Sequence, residues 1–117
     1  MSEDFQLSSR KVDTGERAVV VVGEVDMATA PALDKELARY RGRVVVDLRK
    51  VPFMDSSGIR VLINHNHRLE EAGGQLRLLI ATSDILRLFE LTGLTDTFVI
   101  DSKLHPSEEP PTDTELS

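Results

Sequence analysis

With 117 residues, 40% of them hydrophobic and 29% charged, the chain has the size and balance of one soluble globular domain, enough for a single core and too short for two. A net charge of -6 argues against a nucleic-acid surface, because neutralising phosphates takes a clustered Lys/Arg excess, and a protein partner suits an acidic chain better. The absence of cysteine excludes disulfides, zinc-thiolate sites and thiol catalysis. Met1-Ser2-Glu3-Asp4 is acidic where a signal peptide is basic, and no apolar run nears the roughly 20 residues of a membrane span, so the expected setting is cytosolic, away from membranes.

Strands and helices alternate at short spacing. Phe5 to Val12 carries partial alternation, with Phe5 and Leu7 on one face, and Asp13-Thr14-Gly15-Glu16 supplies the turn into a β-branched run from Ala18 to Val25. The pair reads as a hairpin, and the unbroken valines 19 to 22 suggest a strand covered on both faces. Thr29-Ala30-Pro31 then opens a helix to Tyr40, with Thr29 as capping residue, Pro31 in the tolerant first turn, Leu33 and Leu37 on one stripe, and Gly42 as the stop.

Val44 to Leu48 forms a second buried strand. Ile59 to Ala72 is the longest helix, with Ile59, Leu62, Ile63 and Leu69 on its apolar face and Gly73-Gly74 as its end. Leu76 to Ile80 is a further strand. A third helix begins at Ser83 or Asp84, either of which suits an N-cap, and ends at Gly93, before a short closing strand at Phe98-Val99-Ile100. From Asp101 onward prolines lie among acidic and hydroxylic residues with almost nothing to bury, the composition of a disordered tail over 101–117.

The order ββαβαβα with a weak final β favours right-handed crossovers, and hence parallel strands from Ala18, Val44 and Leu76. Their carboxyl ends then share one edge of the sheet, the usual place for sites in such folds. This predicts that the loop Gly23-Glu24-Val25-Asp26 and the loop Phe53-Met54-Asp55-Ser56-Ser57-Gly58 lie together as one acidic, hydroxyl-bearing patch.

Asp55-Ser56-Ser57-Gly58 stands where a strand hands over to a helix, beside free backbone N–H groups and the positive end of the helix dipole. On spacing alone, an N-cap explains it, with Ser56 or Asp55 capping and Gly58 permitting tight packing; a phosphorylation switch at one of the serines is the other reading. A serine nucleophile does poorly, since the elbow of hydrolases needs glycines two residues before and after it, and Met54 or Asp55 fills the first place. His65 and His67 lie two to three turns along the following helix and His105 in the tail, so no base is placed beside the hydroxyls. Residues two apart on a helix point roughly 200° apart, so His65 and His67 cannot share a metal ion and read as exposed polar residues. No phosphate-cradling Gly-rich loop is present, and no cofactor is expected.

Val22-Gly23-Glu24-Val25-Asp26, then Thr29 to Leu33, Val44-Val45-Val46-Asp47-Leu48 and Phe53-Met54-Asp55-Ser56-Ser57-Gly58-Ile59 closely resemble the bacterial anti-sigma factor antagonists of the STAS group, the sulfate transporter and anti-sigma factor antagonist domains. Leu88-Phe89-Glu90-Leu91-Thr92-Gly93-Leu94 and Phe98-Val99-Ile100 are similar to that family's third helix and closing strand, so the likeness runs from Phe5 to Ile100. It implies an α/β fold, a single STAS-like domain over 1–100 whose mixed four- to five-stranded sheet carries helices packed against it. The connection Tyr40-Arg41-Gly42-Arg43 is shorter than usual for the family.

By the same resemblance the chain is a non-enzymatic partner-switching regulator. Its partners are an anti-sigma factor with serine kinase activity, from which it releases a sigma factor, and a PP2C-type serine phosphatase that reverses the phosphorylation. Of the two serines the resemblance selects Ser57 as the phosphorylated one, with Asp26, Asp55, Ser56, Ser57 and Gly58 forming the partner-binding surface. Outside the motif, Arg60, Asn64, Arg68 and Glu71 are the polar positions expected to face outward on the long helix. Two readings compete, a non-catalytic STAS subunit of a larger stress-sensing or transport assembly and a small serine hydrolase.

Overall fold

The computed structural model describes residues 5–101. Its strands are β1 (Gln6–Lys11), β2 (Arg17–Val22), β3 (Arg43–Lys50), β4 (Gln75–Leu79) and β5 (Val99–Asp101), and its helices α1 (Ala30–Leu37), α2 (Ser56–Glu71) and α3 (Ser83–Leu91). They form one five-stranded sheet in the order β1-β2-β3-β4-β5, antiparallel at the β1-β2 hairpin and parallel throughout the rest. The expected mixed α/β sheet with three parallel strands from Ala18, Val44 and Leu76 is therefore present. β5 takes in Asp101, while the remainder of the proposed tail, 102–117, lies outside the described residues.

Strand order that follows chain order has a consequence for the layers. Each of the three β-α-β units joins neighbouring strands, and crossovers of one hand stack all three helices on one face of the sheet. Register places Ser9, Val19, Val46, Leu78 and Ile100 in a row on that face. There Val19, Val46 and Leu78 join Leu33 and Leu37 of α1, Ile59, Leu62 and Leu69 of α2, and Ile85 and Phe89 of α3 in one apolar core. Phe98 closes it with its ring edge-on to Phe89, centroids 5.5 Å apart.

The valine run is consequently not covered by helices on both faces. Val19 and Val21 are fully buried, whereas Val20 and Val22 point to the opposite side and are only partly buried. On that side Arg77 pairs with Glu16 (3.0 Å) and Asp101 (3.4 Å), and Asp47 with Arg49 (2.7 Å). A cavity of about 290 Å³ there is lined only by strand and hairpin residues. Continuous valines signal burial, but here one layer is helices and the other is long charged side chains.

Helix ends depart from expectation where side chains compete for them. The α1 helix stops at Leu37, short of Tyr40 and of Gly42, and Arg68 reaches across from α2 to satisfy its end, donating to the carbonyls of Leu37 (3.1 Å) and Tyr40 (3.2 Å). At the start of α3 the cap is Thr82 rather than Ser83 or Asp84, its hydroxyl accepting from the Ile85 amide. Gly73 and Gly93 do terminate α2 and α3: both take positive φ (86° and 73°), and the amides of Gly74 and Leu94 return to the carbonyls of Leu69 and Phe89.

Candidate functional site

The β2 strand ends earlier than the sequence suggests, at Val22, where the register shifts and Gly23 turns the chain at φ 103°. Val25 then pairs again, as an isolated parallel bridge with Met54 of the loop following β3. The Val25 amide donates to the Phe53 carbonyl (3.0 Å) and the Asp55 amide to the Val25 carbonyl (3.1 Å). The two loops expected to lie together are thus stitched backbone to backbone at the carboxyl edge of the sheet.

Each loop is locked by its own aspartate. Asp26 Oδ1 accepts from the amides of Ala28 (3.0 Å) and Thr29 (3.1 Å), and the Asp26 carbonyl accepts from Ala30 (2.7 Å). Thr29, expected to cap α1, occupies the boundary position but has helical φ and ψ and makes no capping bond. Its hydroxyl instead accepts from the Asp26 amide (3.0 Å) and donates to the Glu24 carbonyl (2.8 Å), which leaves Asp26 as the residue that secures the entry to α1. Replacing Asp26 by Ala should therefore cost about 1 kcal/mol, the usual value of a lost cap, measurable as a lower midpoint in urea with an unchanged slope.

On the second loop Asp55 is the N-cap of α2, its Oδ1 accepting from the Ser57 amide at 2.8 Å. The helix therefore begins at Ser56, three residues before the expected Ile59, and both serines sit in its first turn. Ser56 is exposed and Ser57 half-buried. The Asp55 carbonyl takes the amides of Gly58 (3.1 Å) and Ile59 (3.2 Å). Much of the donor capacity of this helix start is thus already engaged, so a phosphate here meets fewer open amides than the bare sequence implies. Gly58 is buried beneath the loop: a Cβ on it would lie 2.7 Å from Val25 Cγ1 and 2.8 Å from Met54 Cγ. It supports the surface from below.

Neither helix histidine serves the serines. His65 is buried, contrary to the exposed position read from the sequence, with Nε2 2.7 Å from Asp34 Oδ1 and Nδ1 accepting from Arg68 Nε at 3.0 Å. Arg68 in turn reaches the end of α1, so both residues join the two helices rather than face outward. The sequence conceals this, because His65 and Arg68 each stand next to an exposed residue, Asn64 and His67, and only α1 packed along one flank of α2 tells them apart. His67 pairs with Glu71 at 3.0 Å. Among the described residues no group of three His, Cys, Asp or Glu side chains is placed to hold a metal, and no helix is long and apolar enough to cross a membrane.

The STAS domain sequence profile matches residues 9–109, most of the chain. This protein belongs to the STAS domain family. It is 33% identical over 101 residues to the anti-sigma-B factor antagonist of Listeria monocytogenes, covering 83% of this chain and 89% of that one. To the anti-sigma-B factor antagonist of Bacillus subtilis it is 33% identical over 88 residues, covering 73% and 81%. Among solved structures, an anti-sigma factor antagonist from Mycobacterium paratuberculosis superimposes with a TM-score of 0.76 at 31% identity, over 86% of this chain and 87% of that one. The Bacillus cell fate determinant SpoIIAA in its phosphorylated form shares the fold at 17% identity, with a TM-score of 0.65 over 84% of this STAS chain and 93% of that one.

Two exposed apolar residues of the stitched loops were not singled out from the sequence, Met27 not at all and Phe53 only as a member of its loop. Met27 and Phe53 are 76% and 49% exposed, one on each stitched loop. The available signal was an apolar residue inside a turn-forming segment, where nothing obliges it to be buried.

Proposed function

We propose that this STAS domain is an anti-sigma factor antagonist that binds a serine-kinase anti-sigma factor, thereby releasing a sigma factor, and is switched off by phosphorylation of Ser57. The observation that carries the reading is the stitched pair of loops, which holds the start of α2, with Ser56 exposed and Ser57 half-buried, on a fixed surface; the choice of Ser57 between the two rests on the family resemblance. The names of its Listeria and Bacillus relatives, antagonists of the anti-sigma-B factor, support the choice of partner. The phosphorylated form of SpoIIAA supports a phosphorylated state of the same fold.

In the forward step the Ser57 hydroxyl oxygen attacks the γ-phosphorus of ATP held by the kinase; ADP departs, and the hydroxyl proton passes to a base on the kinase. A PP2C-type phosphatase reverses it by water attack on phosphorus, returning the serine hydroxyl and releasing inorganic phosphate. The modification adds about -1.5 to -2 charge. Asp55 is an immediate neighbour and already holds the Ser57 amide, while Asp26 and Glu24 belong to the loop across the bridge. The new charge therefore meets like charge in a place whose nearest donor is taken, and its effect falls on the binding surface rather than on the core.

The test is incubation with each kinase-type anti-sigma factor of the same genome and ATP, followed by mass spectrometry. One phosphate on Ser57, lost in Ser57→Ala, is the expected outcome. Equal labelling of wild type and Ser57→Ala would overturn the site.

A further inference from the structure

We infer that Met27 and Phe53 are the apolar anchors of the partner surface, and that the anti-sigma factor receives them in an apolar pocket rimmed by basic side chains. The inference rests on the antagonist reading above and assigns that site its chemistry. Among the described residues four large hydrophobic side chains are well exposed: Met27, Phe53, Leu91 and Val99. Leu91 ends α3 and Val99 lies on the edge strand β5. Met27 and Phe53 alone belong to the stitched loops that carry the serines.

An exposed apolar residue by itself is ordinary. The placement of these two is not, because both are held on backbone that cannot yield cheaply. The Phe53 carbonyl is pinned by the Val25 amide at 3.0 Å, and Met27 lies inside the turn closed by Asp26 Oδ1 on the amides of Ala28 and Thr29. Little backbone entropy is left to lose on binding, the condition under which a few anchors dominate an interface.

The polar groups of the same loops are committed elsewhere. The carboxylates of Asp26 and Asp55 hold amides of their own turns, so their hydrogen-bonding capacity is partly spent at home while their charge remains. With exposed Glu24 alongside, the two loops offer two apolar projections beside three carboxylates, and the exposed cations Lys50 and Arg60 lie outside the loops, on β3 and α2. The complement of the loops is an apolar recess with Lys or Arg at the rim. The switch follows from this chemistry: a hydroxyl at Ser57 can be enclosed with the anchors, whereas a phosphate dianion resists removal from water.

The experiment measures calorimetric affinity for the kinase-type anti-sigma factor that phosphorylates Ser57, using the full chain and the variants Met27→Ser, Phe53→Ser and, as a remote exposed control, Val99→Thr. Met27→Ser and Phe53→Ser should each bind about tenfold or more weakly with thermal midpoints within a degree or so of wild type, and Val99→Thr should bind as wild type. If wild type binds and both loop variants bind equally well, or if Val99→Thr loses as much as they do, the anchors are wrong and the antagonist reading stands. If wild type binds none of the kinase-type anti-sigma factors of its genome, the antagonist reading itself is overturned, and this partner with it.

Discussion

Ser57→Asp should bind the anti-sigma factor about a hundredfold more weakly than wild type, and Ser57→Ala within about threefold of it, by calorimetry at fixed ionic strength. Ser57 is the second residue of α2 and is half-buried, so a carboxylate placed there is held at the surface and cannot swing far from the interface. Its amide is already taken by Asp55 at 2.8 Å, so the new charge stands beside an existing one and cannot draw on its own backbone donor. Alanine adds no charge and leaves that cap intact. Both variants should fold with stability within about 0.5 kcal/mol of wild type, since the start of a helix accepts an acidic residue and the core lies elsewhere. An equal loss of affinity in Ser57→Ala and Ser57→Asp would mean that the hydroxyl itself is a required contact, and the electrostatic account would fail.

Raising the salt concentration separates two contributions to that loss. Repulsion between exposed charges is screened over about 8 Å at physiological ionic strength, while the cost of enclosing a charge in a dry interface is not. The affinity gap between Ser57→Asp and wild type should therefore shrink only modestly in high salt if Met27 and Phe53 enclose the site.

Much of this architecture was legible because local chemistry and global fold agree. The glycines after α2 and α3, the Leu33 and Leu37 stripe and the alternation of strands with helices agree with one another, and their order fixes three parallel strands within a mixed sheet, with the loops 23–26 and 53–58 at one edge. What stayed hidden depends on contacts distant in sequence. His65 and Arg68 look like solvent-facing residues of α2 until α1 is laid beside them, when they become the bond between two helices. Thr29 looks like a cap because Ser and Thr usually are, but Asp26 three residues earlier closes the turn first. Capping propensity ranks residue types; it does not say which of two candidates the backbone reaches.

The same distinction governs Gly58, which the motif presents as part of the partner surface and the packing places beneath it. Gly58→Ala should destabilise the fold by about 1–2 kcal/mol, although alanine is intrinsically the better helix former by about 1 kcal/mol. The added methyl would stand 2.7 Å from Val25 Cγ1 and 2.8 Å from Met54 Cγ, against side chains that are themselves buried. Met54 is flexible and can turn aside, but the branched Val25 side chain has few rotamers, and its backbone is fixed by bonds to Phe53 and Asp55. The first turn of α2 must then move off the bridge, carrying Ser56 and Ser57 with it. Phosphorylation by the partner kinase should fall by more than the lost stability explains, which a matched variant isolates: Ile85→Val, in α3, removes a buried methyl group at a similar cost of about 1 kcal/mol without touching either loop. Slow phosphorylation of Gly58→Ala beside normal phosphorylation of Ile85→Val is the expected pair of results. Equal rates would show that the bridge yields and the serines keep their place, and a Gly58→Ala as stable as wild type would show that the close approach is relieved at no cost.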